Sequence, residues 1–151
     1  MSANSEDFAA QLDVSRETLA RLQAYVALVE KWQARVNLIS PATLPDIWHR
    51  HIRDSAQLVP LLSGTAPSIM DIGSGAGFPG LVLAIMTDSP VTLVESDQKK
   101  SIFLQTVIRE CGVRATVLAQ RVEALDPQDV DVITARALAP VDRLLVLLDG
   151  Q

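Results

Sequence analysis

Apolar residues recur along this chain at two different periods, and the change between them falls near residue 67. Leu19, Leu22, Val26, Val29, Trp32 and Val36 are spaced by threes and fours, which lays one apolar face along a long helix. Ser15 stands where an N-cap hydroxyl would close the first turn, and the pattern predicts an end near Asn37. Ser40-Pro41 and Leu44-Pro45 make a connector. A second amphipathic helix is expected through Ile47, Ile52, Ala56 and Val59, stopped by Ser63-Gly64.

From Ser68 onward, short apolar strands alternate with helices, which is the signature of a parallel, doubly wound sheet. The strands are expected at Ser68 to Ile72, Val91 to Glu95, Ala115 to Leu118 and Val130 to Thr134. Helices are expected at Pro79 to Met86, Gln98 to Cys111 and Pro140 to Leu148. The predicted class is α/β: residues 1–66 form a helical extension packed on a Rossmann-like core at 67–151, the two making a single structural unit. Open sheets of this class run past a fourth strand. Further C-terminal strands are therefore expected to be missing, leaving the edge beside strand four unpaired or covered by a partner.

Composition narrows the picture without changing it. The 151 residues are 48% hydrophobic, enough for one domain with a real core. The single cysteine, Cys111, excludes an internal disulfide, suits a reducing cytoplasm and reads as a small buried helix residue. Met1 to Glu6 is polar, unlike a signal peptide, and no apolar run approaches membrane-spanning length. A net charge of −5 argues against nonspecific coating of nucleic acid, although a local basic patch could dock RNA.

The most telling stretch is Asp71-Ile72-Gly73-Ser74-Gly75-Ala76-Gly77-Phe78-Pro79-Gly80, where a strand runs through a glycine-dense turn into a helix. Such a turn allows positive φ angles and close approach of a ligand to bare backbone. Gly75 to Gly80 fits the G-x-G-x-x-G dinucleotide fingerprint, and Asp71 to Gly77 fits the D-x-G-x-G-x-G loop of S-adenosylmethionine sites. Chemistry favours the methyl donor. A pyrophosphate needs N–H donors at the helix start, where Pro79 has none and Phe78 adds bulk. S-adenosylmethionine instead carries an ammonium that Asp71 could approach, directly or through water.

Other candidates lie where an open α/β sheet binds ligands, at the carboxyl ends of its strands. Glu95, about 18 positions after Gly77, could accept hydrogen bonds from both ribose hydroxyls, with Asp97 the lesser candidate. The backbone of Val122 and Glu123 could pair with an adenine edge. Arg136 could hold a planar acceptor, a carboxylate, phosphate or base, with its forked donors. In Trp48 to Ser55, His51 and Asp54 could pair within one helical turn. His49 and His51 point apart on a helix, so no metal site is expected.

Taken together, these residues resemble the glucose-inhibited division protein B (RsmG) family of S-adenosylmethionine-dependent methyltransferases, which modify guanine N7 in small-subunit ribosomal RNA. The resemblance covers nearly the whole chain. It rests on Tyr25-Val26, Lys31-Trp32, Asn37-Leu38-Ile39-Ser40, Arg50-His51-Ile52-Arg53-Asp54-Ser55, the Asp71 to Gly80 loop, Lys99-Lys100 with Phe103-Leu104, Arg121-Val122-Glu123 and Ala135-Arg136-Ala137. It implies cofactor contacts at Gly73, Phe78, Val122, Glu123 and Arg136, and a polar cluster of Asn37, His51 and Asp54 beside the methyl site. It further implies small-subunit ribosomal RNA or the assembled 30S subunit as partner. Family members carry further C-terminal strands and a Lys-Gly turn that this sequence lacks.

The residues agree with that chemistry. Guanine N7 exposes a lone pair and carries no proton, so transfer to it needs alignment more than a general base. Thr134-Ala135-Arg136 stands where adenine amino-methylating enzymes carry an Asn/Asp-Pro-Pro-aromatic box, and no cysteine lies on the carboxyl edge to attack a pyrimidine carbon. Two other readings stay open at this point: a nicotinamide-dependent oxidoreductase built on Gly75, Gly77 and Gly80, and a noncatalytic cofactor-binding or ribosome-docking module.

Overall fold

The computed structural model describes residues 3–62, 66–126, 129–135 and 144–147. Two helices open it, α1 (Ala3–Leu12) and α2 (Arg16–Gln33). The Ser15 hydroxyl accepts a hydrogen bond from the Thr18 N–H at 3.1 Å, satisfying a first-turn donor at a gain of about 1 kcal/mol. α2 stops at Gln33, short of Asn37, because the Gln33 amide folds back over its end. Gln33 Oε1 accepts from the N–H groups of Leu38 (3.0 Å) and Ile39 (3.1 Å), and Nε2 donates to the Ile39 carbonyl at 2.7 Å. Apolar spacing carries no trace of such a turn.

The single amphipathic helix expected next is assembled from four short pieces. A 3-10 turn at Leu44–Asp46 leads into a π-helical stretch at Trp48–Arg53, then one α turn, α3 (Asp54–Ala56), and a second 3-10 turn at Val59–Leu62. Pro45 and Pro60 lack the N–H that a continuous ladder requires. The wider winding still keeps one face inward: Trp48, His51, Ile52, Ser55 and Ala56 are all buried.

The sheet contains β1 (Ile69–Ile72), β2 (Val91–Val94), β3 (Ala115–Leu118), β4 (Val132–Ala135) and β5 (Leu144–Leu147) in the order β3-β2-β1-β4-β5. The first four strands are parallel, with Ile69 opposite both Val91 and Val132. Helices α4 (Gly80–Met86) and α5 (Gln98–Cys111) follow β1 and β2. The order runs outward from β1 in both directions, so the switch point where such sheets bind ligands lies at the carboxyl end of β1.

Two expectations are corrected here. Leu144–Leu147 is a strand and not part of a helix over Pro140 to Leu148. The five-residue apolar run Leu144 to Leu148 reads equally well either way, and an open β4 edge beside it decides for the strand. β5 then pairs antiparallel along the whole of β4, Val132 opposite Leu147 and Ala135 opposite Leu144. The edge beside strand four is neither unpaired nor left for a partner, because the chain covers it itself.

One core joins the helices to the sheet. Leu22, Tyr25 and Val29 of α2 are fully buried with Leu81 and Val82 of α4, Leu93 of β2, and Phe103, Leu104 and Val107 of α5. Burying each aliphatic or phenyl side chain contributes about 1.5–3 kcal/mol. Trp32 meets Phe103 edge-on at 5.6 Å, and Phe8 of α1 packs on Trp48 at the same centroid distance. No helix among the described residues is long and apolar enough to cross a membrane.

Candidate cofactor and substrate site

After β1 the chain enters the glycine turn with φ of +66° at Gly73, +56° at Gly75 and +97° at Gly77, backbone that side chains rarely adopt. The space around these positions differs. A Cβ at Gly73 would meet nothing within 4 Å, and one at Gly75 only the Gly73 carbonyl oxygen at 3.9 Å. At Gly77 it would overlap Leu81 and the Tyr25 hydroxyl, and at Gly80 it would overlap Leu93 and Asp71. The first two glycines border open space, while the last two are filled by the protein.

Hydrogen bonding decides which kind of ligand that space suits. The N–H groups of Gly73 and Ser74 donate to the Val94 carbonyl (2.9 and 3.1 Å), and that of Gly77 donates to the Ser74 carbonyl at 2.7 Å. Gly75 N–H donates to Glu95 Oε1 at 2.7 Å. A pyrophosphate would need such donors free. Here the donors are engaged and Glu95 sits against the turn. A ligand carrying an ammonium and a sulfonium meets no such conflict.

Glu95 is only 7% exposed, and its second oxygen accepts from the Asp97 N–H at 2.9 Å. The carboxylate is thus fixed at both oxygens, and each keeps a lone pair for another donor. Asp97 is spent elsewhere: it caps α5, accepting from the Lys100 N–H at 2.9 Å. Glu95 lines a cavity of about 180 Å³ together with Gly73, Ser96, Gln120, Val122 and Glu123. Val122 and Glu123 reach it from a 3-10 turn, Val122–Ala124. Gly75, Gly77 and Phe78 are not among its lining residues.

Asp71 is placed differently from its expected role near an ammonium. It is 1% exposed, accepts a hydrogen bond from the Thr134 hydroxyl at 2.5 Å, lies against Gly80 and does not line the cavity. It braces β1 against β4 and the start of α4.

The helical extension grips the far half of the turn. The Tyr25 hydroxyl donates to the Ala76 carbonyl at 2.5 Å. The Phe78 ring, 2% exposed, stacks on His51 at 5.0 Å and 24° and packs on Tyr25 at 5.3 Å. His51 Nε2 lies 2.9 Å from Thr43 Oγ1. Asn37 is exposed and accepts from Gln33 Nε2 at 3.3 Å. Asp54 lines a second cavity, with His49, Arg50, Arg53 and Gln57. Of the three polar residues expected together, His51 is thus the one stacked on the glycine turn. Arg136 lies outside the described residues.

Cys111 is buried at the end of α5, and its thiol is pushed up from its ordinary value, first by burial, then by the charge of Glu110, with Arg21 opposing. It has the environment of an inert core residue. Among the described residues no group of three or more His, Cys, Asp or Glu could hold a metal. Sequence reasoning missed the Tyr25 hydroxyl, Thr43 and Gln120: Tyr25 falls in an apolar helix stripe, and nothing in the spacing links Thr43 to His51 or Gln120 to Gly73.

The sheet order, the glycine turn after β1 and the acid after β2 make a Rossmann-like nucleoside-cofactor site, and the family match below places it in the S-adenosylmethionine-dependent methyltransferase class. Comparison with known proteins agrees. The model of the GidB family, rRNA small subunit methyltransferase G, matches residues 18–149. Ribosomal RNA small subunit methyltransferase G of Paramagnetospirillum magneticum is 54% identical over 140 residues, 93% of this chain and 68% of that protein. Its namesake from Rhodospirillum rubrum is 53% identical over 140 residues, 93% of this chain and 70% of that one. Among solved structures, a mutant of MtNAS in complex with S-adenosylmethionine superposes with a TM-score of 0.53 at 21% identity, covering 89% of this chain and 58% of that one, a likeness of fold. The chain belongs to the rRNA small subunit methyltransferase G family.

Proposed function

We infer that this protein is an S-adenosylmethionine-dependent methyltransferase acting on guanine N7 of small-subunit ribosomal RNA, and that it works in the cytoplasm. The observation that carries the cofactor is Gly75 N–H held by Glu95 beside the open backbone of Gly73, which takes up a turn donor that a pyrophosphate would need and leaves room for a nucleoside that carries no phosphate. The family match carries the substrate. When bound, S-adenosylmethionine supplies an electrophilic methyl group that guanine N7 takes with its own lone pair, the methyl–sulfur bond breaking with no proton to remove.

The protein's part is alignment. In this reading Glu95 accepts from the ribose hydroxyls, the backbone of Val122 and Glu123 meets the adenine edge, and Gly73 and Gly75 let the ligand approach the main chain. Gly77 and Phe78 shape the turn from below. His51, stacked on Phe78, positions the base, and Arg136 contributes to the cofactor pocket.

Incubating the full chain with labelled methyl donor and undermethylated small-subunit ribosomal RNA, followed by nucleoside mass spectrometry, tests the reading. One labelled N7-methylguanosine is expected. Measurable affinity for NADH with none for S-adenosylmethionine would overturn it.

A further inference from the structure

The second cavity, of about 360 Å³, lies on the outer face of the segment whose inner face touches the glycine turn. Its lining includes two guanidiniums, Arg50 and Arg53, one imidazole, His49, and a single carboxylate, Asp54. His49 and Arg50 are exposed and Arg53 is half-buried, whereas their neighbours Trp48, His51 and Ile52 point inward. The π-helical winding of Trp48–Arg53 keeps residues four and five apart on one side, so His49, Arg53 and Asp54 share the outer face.

Charge makes this cavity unusual for the chain that carries it. The whole sequence has 13 basic against 18 acidic side chains, yet here cations outnumber the acid even with His49 neutral. We propose that this cavity is a docking subsite for backbone phosphates of the substrate RNA. The inference rests on the proposed RNA methyltransferase function and extends it to a site apart from the cofactor cavity. Guanidiniums suit the work, since their forked donors match phosphate oxygens.

Position gives the subsite a purpose. His51, between Arg50 and Ile52 in the chain, has its ring 5.0 Å from that of Phe78 in the glycine turn. An RNA strand held on the outer face of this short segment is registered, through one packed layer of side chains, against the turn that borders the cofactor cavity. Such contacts fix orientation and carry no sequence information, which leaves choice of base to the inner residues.

The test compares wild type, Arg50→Gln and the double variant Arg50→Gln/Arg53→Gln for binding to a transcribed small-subunit ribosomal RNA fragment across a salt series. S-adenosylmethionine affinity is measured on each protein as a check of the fold. Each lost phosphate contact should lower the slope of log affinity against log salt by about one unit, so the double variant loses about two, with cofactor affinity held within about two-fold. A slope unchanged in both variants overturns the subsite, as does a loss of cofactor affinity in step with RNA affinity, which would make the arginines supports of the fold. Inorganic phosphate separates a backbone subsite from a site for the free ion: weak competition with RNA supports the proposal, and saturable phosphate binding that leaves RNA affinity untouched overturns it. Methylation is scored separately. Absent N7-methylguanosine with a salt slope that falls in the variants defeats the functional reading alone, and normal methylation with equal slopes defeats the subsite alone.

Discussion

The four glycines between β1 and α4 fall into two pairs with opposite surroundings. Gly73 and Gly75 face open space beside Glu95, while Gly77 and Gly80 are pressed against Leu81, Tyr25, Leu93 and Asp71. One pair leaves room for something outside the protein, and the other lets two layers of the protein touch. This explains how the stretch fits two cofactor templates at once. Both need a bare strand-to-helix turn, and they differ in whether the turn N–H groups are free for phosphate, which a glycine pattern does not record.

Breaking the packed pair should cost the most. Gly77→Ala puts a Cβ onto Leu81 and the Tyr25 hydroxyl at φ +97°, so overpacking and backbone strain combine for about 2–5 kcal/mol of folding stability. Gly73→Ala meets no atom within 4 Å and should lose only the about 1–2 kcal/mol of left-handed strain, yet its methyl group enters the ligand's space. Urea denaturation and cofactor calorimetry on both variants read the contrast. Equal stability losses, or cofactor binding by Gly73→Ala as tight as wild type, would erase the division between the pairs.

The next effect sharpens the open side. Glu95→Gln keeps the shape of the carboxylate but removes its charge, and one of its two terminal atoms can no longer accept from a backbone N–H. Cofactor affinity should fall by on the order of 1–3 kcal/mol, with the larger share from the ribose contacts. Comparing S-adenosylmethionine with its 2′-deoxy analogue isolates them. The wild type should discriminate between the two and Glu95→Gln should not, so that equal discrimination by both proteins removes Glu95 from the ribose.

Much of this architecture is legible in the sequence. α5 runs from Gln98 to Cys111 and β3 from Ala115 to Leu118, as predicted, because Asp97 and Gly112 punctuate a clear pattern at both ends. Glu95 was legible for a similar reason, as an acid closing an apolar strand. Residues 44–62 were not, since prolines and a π-helical stretch hide inside apolar spacing that looks continuous. β5 is hidden because five apolar residues in a row carry no period, and only the neighbouring β4 edge supplies the answer. The Phe78–His51 stack joins residues whose sequence neighbourhoods say nothing of each other.

The smallest expected effect joins the two pairs through the helical extension. Tyr25 donates its hydroxyl to the Ala76 carbonyl, between the open glycines and the packed ones, and the same oxygen is one of the atoms a Cβ at Gly77 would strike. Tyr25→Phe keeps the ring on Phe78 and removes one buried hydrogen bond, so stability should fall by about 1 kcal/mol. If the hydroxyl holds the turn in its ligand-ready shape, cofactor affinity should weaken by about five-fold as well, since part of the binding energy then goes into ordering the turn. The double variant Tyr25→Phe/Gly77→Ala is the sharper measurement. With the hydroxyl gone, one of the two clashes at Gly77 disappears, and the combined loss should be smaller than the sum of the single losses by 0.5 kcal/mol or more, the range expected of groups in contact. Additive losses would mean that Leu81 alone keeps a side chain out of position 77, and a cofactor affinity unmoved by Tyr25→Phe would confine the tyrosine to packing.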